Sequence, residues 1–270
     1  NQDISSWNVS SVTTMYAMFY GSNFNKSLSN WERDASGSIL ASTLVNVTDM
    51  SYMFEESRSF NQDISDWNVS KVTSMERMFN SANRFNNGDA IIRFTISSGS
   101  VVFDKIIDGG SGYDASNPPP IIITPPDRFD GAQAEATISV GTVDGVEGVI
   151  TGVTITNAGS NYYGNTYCSI SGTKSLNTWD VSKVTDMRNM FSQAKSFNQD
   201  IGDWNVSLVT YMQYMFYIAG AFNQDISSWN VSSVKNMQGM FRETENFNQN
   251  IGNWERDASG SILASTLVNV

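Results

Sequence analysis

The sequence contains no histidine and a single cysteine in 270 residues. The absence of histidine removes the usual general base at neutral pH, the commonest zinc ligand and any Ser-His-Asp or Cys-His nucleophile pair. Cys168 cannot close an intrachain disulfide alone, so cysteine usage gives no redox compartment, and the residue reads as a small buried hydrophobe. Basic residues are scarce as well: 16 lysines and arginines against 27 aspartates and glutamates leave a net charge of −11, which disfavours nucleic acid or an anionic membrane as partner. No apolar run approaches the roughly 18 residues of a transmembrane helix, so no span is expected. Carboxylates are plentiful, yet no pair stands in a motif that would raise one pKa for acid–base work, and no enzyme is expected. The opening residues Asn1-Gln2-Asp3-Ile4 fall in the middle of a repeat and show neither a basic segment nor an apolar signal region, so the chain reads as an excerpt of a longer polypeptide.

What is present is a period. Tryptophan recurs at Trp7, Trp31, Trp67, Trp179, Trp204, Trp229 and Trp254, the last four 25 residues apart. A Met-x-x-Met-Phe block follows, led by Met15, Met50, Met75, Met187, Met212 and Met237, and its i, i+3, i+4 spacing describes one helical face. A second aromatic comes five or six residues later (Phe24, Phe60, Phe85, Phe197, Phe222, Phe247). Ile4, Trp7, Val9 and Val12 then fit the spacing of a leucine-rich repeat, with Ser6–Ser10 as the strand, Trp7 and Val9 pointing inward, and the Met-Phe turn on the helical side. The tryptophan and methionine columns are read as core, because stacked coils bury their apolar faces only against one another.

The motif F-N-Q-D-I-x-x-W-N-V-S-x-V-x-x-M-x-x-M-F, nearly complete at Phe60–Phe79, Phe197–Phe216 and Phe222–Phe241, resembles the BspA-like leucine-rich repeats of microbial surface proteins. That resemblance covers about two thirds of the chain. It implies extracellular or cell-surface display, a role in adhesion or scaffolding, and no active site. The expected fold is a leucine-rich-repeat-like α/β solenoid, short parallel strands on one side and helical turns on the other, with an inserted all-β domain. Its parts are residues 1–85, an insertion over 86–175, and a second repeat segment over 176–270.

Two departures interrupt the period. Asn30–Val47, which contains an 11-residue extra loop, recurs unchanged as Asn253–Val270, and Asn1–Val12 recurs as Asn223–Val234, pointing to a longer unit of about 223 residues. The second departure, Asn86–Ser175, lacks the Met-Phe block and carries β-branched runs divided by glycine and proline. Strands are expected at Ala90–Ile96, Val101–Ile107, Pro120–Thr124, Ala134–Val140, Val149–Thr156 and Thr166–Ile170. Ile107–Tyr113 and Thr156–Tyr162 echo each other and resemble the Gly-Ser-Gly-Tyr modules of surface and phage-structural proteins.

Candidate sites are few. Sequons at Asn8, Asn25, Asn46, Asn68, Asn205 and Asn230 are acceptors for N-glycosylation in a eukaryotic secreted protein, although five of them belong to the repeat motif itself. The column Asp3, Asp63, Asp200, Asp225, with Asn250 in place of the acid, offers oxygen ligands for weak calcium binding; the competing reading is a ladder of Asn and Asp bonding to neighbouring turns. No other cofactor is expected. Neither end carries a polar capping repeat, so the chain is expected to stack with copies of itself in a fibre or sheath. The alternative is an adhesin that binds a host protein or glycan through the exposed sheet or the insertion.

Overall fold

The computed structural model describes residues 2–28, 31, 44–110, 113, 115, 116, 118, 121–123, 134–143, 146–160, 162, 166–170 and 175–255. The chain divides into two compact units, Asn1–Asn87 with Ser175–Val270, and Gly88–Lys174.

The repeat unit corrects the expected fold: the chain is not an α/β solenoid. Among the described residues there is no α-helix, and regular strands occur only in the insertion. The Met-x-x-Met-Phe blocks are turns, and backbone pairing explains why. In the first block the N–H groups of Met15, Ala17, Phe19 and Gly21 donate out of their own coil, to the carbonyls of Asp49, Ser51, Met53 and Glu55, at 2.8–3.0 Å. The intervening N–H groups of Met18, Tyr20 and Ser22 return to Met15, Ala17 and Phe19, three residues back. A helix needs every N–H to bond four residues back; here alternate ones are committed to a neighbour, and overlapping turns result. Such turns demand a positive φ at two positions per block, observed at Ala17 and Gly21, Tyr52 and Glu56, Arg77 and Ser81, Asn189 and Gln193, Tyr214 and Ile218, Gly239 and Glu243.

The strand expected at Ser6–Ser10 is absent. Parallel pairing is confined to single-residue bridges running Thr14, Asp49, Ser74, Asp186, Tyr211, Asn236, just ahead of the methionines. The bridge from Ser74 to Asp186 steps directly across the insertion.

Side chains reinforce this stack in columns. Phe19, Phe54, Phe79, Phe191, Phe216 and Phe241 lie 5.2–5.8 Å apart, ring on ring. Phe60, Phe85, Phe197, Phe222 and Phe247 form a second column at 5.8–6.1 Å. Offset stacking of this kind adds to the area buried. A polar column, buried at Asn61 and Asn86 and half-buried to exposed towards its ends, runs alongside: the Oδ1 atoms of Asn25, Asn61, Asn86, Asn198 and Asn223 accept the backbone N–H of the equivalent asparagine one coil on, each at 2.9 Å. Trp31, Trp179, Trp204, Trp229 and Trp254 each donate Nε1–H to a carbonyl of the preceding coil at 2.8–3.1 Å.

The described strands of the second unit pair antiparallel throughout. Its strands are β1 (Ala90–Ser97), β2 (Ser100–Asp108), β3 (Ile121–Ile123), β4 (Ala134–Val143), β5 (Val146–Asn157) and β6 (Thr166–Ile170), so each segment read as β-prone carries a strand. Ser98 and Gly99, both with positive φ, make the two-residue turn between β1 and β2. The sheets are ordered β2-β1-β6 and β3-β4-β5. Two hairpins thus exchange strands: β3 follows the first hairpin and pairs with the second, while β6 follows the second and pairs with the first. The echoed segments share one function here. Tyr113 accepts the N–H of Ala90 at 2.7 Å, and Tyr162 accepts that of Ala134 at 2.9 Å, so each buried phenol pins the start of a hairpin.

Candidate interaction ridge on the turn blocks

The residues that hold the repeat unit together are the same from coil to coil, so its function is sought among those that change. Every tyrosine outside residues 86–175 lies between the position just ahead of a turn-block methionine and the second phenylalanine. Arg58, Arg77, Arg84, Arg188 and Arg242 lie there too, which includes every described arginine of this unit. The fold does not require this concentration, since threonine, serine or asparagine occupies the same columns in other coils.

Contacts join these side chains into a ridge. The Tyr16 and Tyr52 rings are 5.2 Å apart, and the Arg77 guanidinium stands 5.7 Å over Tyr52 while bonding Glu55 at 2.9 Å. Arg188 bonds Asp186 at 2.6 Å and Glu76 at 3.2 Å and lies 5.4 Å over Tyr211. Tyr214 meets Tyr217 edge-on at 5.8 Å, and Arg242 sits 5.7 Å over Tyr217. Burial, and then the negative charge of Glu76, push the Tyr52 phenol up from its ordinary range; the hydrogen bonds that Arg188 donates to the Asp186 carboxylate raise its own pKa. Tyrosine and arginine stacked in this way are the residues that dominate protein interfaces.

Backbone strain marks the same positions. Tyr52, Arg77 and Tyr214 occupy the left-handed site at φ +62, +55 and +55, which costs a residue with a Cβ about 1–2 kcal/mol. Asn189 and Gly239, at home in that conformation, fill the same column in other coils. The Tyr214 ring also fills the space above Gly239, where an added Cβ would stand 2.5 Å from Cε1. Large side chains are therefore held here at a cost the turn does not impose. The signal for these residues in the sequence is the confinement of Tyr and Arg to the variable columns, which the constant Trp, Met and Phe columns mask.

The residues singled out from sequence fall as follows. Met15, Met50, Met75, Met187, Met212 and Met237 are buried, as are Trp31, Trp67, Trp179, Trp204, Trp229 and Trp254. Trp7 is not: it is 53% exposed, although its 12-residue context is identical to that of Trp229, which is 3% exposed. The difference is a coil on the outer side, whose Ile201 carbonyl takes the Trp229 Nε1–H. Asp3, Asp63, Asp200 and Asp225 each accept the N–H of their own i+2 residue through Oδ1, and Asp200 also accepts Nδ2–H of Asn177, one coil earlier, through Oδ2 at 3.4 Å. Among the described residues no group of three or more acidic or cysteine side chains is placed to hold a metal. Asn8, Asn68, Asn205 and Asn230 make the same local turn to the serine two residues on. Asn25 accepts from Asn61 and Gln62, and Asn46 donates Nδ2 to the Ser10 carbonyl. Cys168 lies on β6. No described helix is long and apolar enough to cross a membrane.

One family's sequence profile matches residues 1–102 and 160–264, about three quarters of the chain. The chain belongs to the family described as Mycoplasma protein of unknown function, DUF285. The DUF285 match covers every described repeat coil and breaks off over residues 103–159, inside the second unit. Neither a curated protein nor a solved structure matches the chain.

Proposed function

We propose that this protein is a non-catalytic structural component of an extracellular or cell-surface fibre or sheath, assembled by stacking of its repeat coils. The observation that carries this reading is the one-way hydrogen bonding of the turn blocks. Each coil offers alternate N–H groups to the next and receives the N–H of the next coil's threonine or lysine in return, as in Thr73 to Thr48 and Lys235 to Thr210, both 2.8 Å. Every coil thus presents complementary faces on its two sides, the condition for open, head-to-tail growth. The likeness of the repeat motif to BspA-like surface-protein repeats supports display outside the cell; it is a likeness of sequence, independent of the helical fold it implied. Electron microscopy of the purified chain should show filaments whose width matches one or a few coil stacks, and dispersed particles at every concentration would overturn the proposal.

A second reading, adhesion to a host protein or glycan, is favoured by the strained tyrosines and arginines of the ridge. It predicts that replacing Tyr52 and Tyr214 by asparagine abolishes cell binding while filaments still form.

A further inference from the structure

We infer that Gly88–Lys174 is a self-folding module set into an otherwise finished coil, and that the coils fold and stack without it. Only the stacking rests on the structural reading above; the folding does not. The spacing carries the inference. Trp67 and Trp179 are 112 residues apart, and without the 87 residues of Gly88–Lys174 they would stand 25 apart, as every later tryptophan pair does. Hydrogen bonds obey the same offset. Asn198 reaches back 112 residues to Asn86, where Asn223 reaches back 25 to Asn198. Trp179 reaches back 115 to Ile64, where Trp204 reaches back 28 to Leu176. Joined directly, Phe85-Asn86-Asn87 and Ser175-Leu176-Asn177-Thr178-Trp179 match Phe60–Trp67 position for position. Ser175 repeats the local turn of Asp63, its Oγ accepting the Asn177 N–H at 3.0 Å.

The point of departure is marked in the chemistry. Gln62, Gln199, Gln224 and Gln249 occupy the position of Asn87 in other coils, and each donates Nε2–H to an asparagine one coil back at 2.9–3.1 Å. Asn87 is one methylene shorter. Its Nδ2 is buried without a partner, while its Oδ1 accepts the Ile64 N–H at 3.0 Å. Asn87 and Gly88 both take positive φ, +53 and +80, a conformation that asparagine and glycine adopt at least cost, and they turn the chain out of the coil. The module then closes on itself. Its first and last strands are partners, Ala90 opposite Ile170, so the chain departs and returns at neighbouring points. Neighbouring ends let one fold be set into a loop of another at small entropic cost. This pairing places both strands in the module, although the family match runs through each of them. Each unit also has its own apolar core: the module's draws on residues between Ala90 and Tyr162, and no residue of the coils' core falls in that span.

Tryptophan separates the two parts in an experiment: all seven lie outside residues 88–174, so fluorescence follows the coils alone while circular dichroism follows both units. In the full chain, Phe94→Ala removes a fully buried ring from the module's core. It should lower the module's melting by more than about 10 °C, or leave the module unfolded throughout, and move the fluorescence transition by less than about 2 °C. A fluorescence transition that moves with the module would overturn the inference. The second arm is the chain lacking Gly88–Lys174. It should melt in one transition near the fluorescence midpoint of the full chain, and failure to fold would overturn the inference as well. Asn87→Gln then tests the joint. It should raise the midpoint of the shortened chain by about 2–4 °C, as one regained hydrogen bond would, and lower that of the full chain, where Ile64 loses its acceptor. A shift of the same sign in both chains contradicts the joint. Filaments from both chains agree with the inference, and filaments from the full chain alone contradict it. Filaments from neither would discard the fibre reading, while the melts still decide whether the module stands alone.

Discussion

Replacing Asn86 by alanine tests whether the asparagine column is a structural element or an accompaniment to the aromatic stack. Asn86 is fully buried. Its Oδ1 accepts the Asn198 backbone N–H at 2.9 Å, and Gln199 reaches its carbonyl at 3.1 Å and Oδ1 at 3.4 Å. Removing the side chain leaves the Asn198 N–H without its acceptor and opens a small void beside Phe85 and Phe197. A half-buried donor that loses its partner costs about 1–3 kcal/mol, and removal of the Asn86 Nδ2, which is buried without a partner, offsets part of the lost packing, so the expected loss is about 2 kcal/mol. For a unit of this size that lowers the melting temperature by on the order of 5–10 °C. Asn223→Ala makes the same cut in the same column, but there the orphaned N–H belongs to Asn248, which is exposed, and water replaces the acceptor. It should cost about 0.5–1 kcal/mol. Thermal melts followed by tryptophan fluorescence and circular dichroism give both values. Equal losses at the two sites, or a loss under about 0.5 kcal/mol at Asn86, would refute the argument that burial sets the strength of the ladder.

Three further outcomes follow from the same structure. Phe79→Ala, at a ring 3.8 Å from Phe85 and stacked between Phe54 and Phe191, should cost about 3–5 kcal/mol, whereas Trp7→Ala, at a half-exposed ring, should cost under about 1 kcal/mol by chemical denaturation. Glu243→Asn, at an exposed residue with φ +59, should stabilise the chain by about 0.5–1 kcal/mol, since asparagine tolerates the left-handed region that glutamate does not; a lower melting temperature would contradict the turn assignment. The Asp225 carboxylate is held below its usual range, first by the backbone N–H of Ser227 and then by that residue's hydroxyl. A lowered pKa contributes stability that is present above the ordinary carboxylate range and lost as pH falls through the folded value. Asp225→Asn should remove that part of the acid-side decline while keeping the turn, as Asn250 keeps its bond to Gly252, and melts recorded from neutral to acid pH will show it.

The course of the chain through its core was legible because columns of one residue type need only a period to be seen. Trp204, Trp229 and Trp254 sit 25 residues apart in sequence and 6.2–6.4 Å apart in space. Strands of the insertion were legible for a related reason: β-branched runs such as Ala90–Ser97 are bounded by residues that break pairing, here Ser98-Gly99. The turn blocks were misread because Met-x-x-Met-Phe places three apolar side chains on one side in either conformation, helix or overlapping turns. Sequence spacing does not say where an N–H finds its acceptor.

The sequence by itself therefore determined the period, the identity of the core columns, the acidic balance and the absence of histidine chemistry. Tertiary structure alone decided that Ala17, Phe19 and Gly21 give their N–H groups to the next coil, and so that the blocks are turns with positive φ. It alone showed that Tyr52, Arg77, Arg188 and Tyr214 stand on one ridge, because residues on that ridge are separated in sequence by a whole coil or by the insertion and become neighbours only when the coils stack.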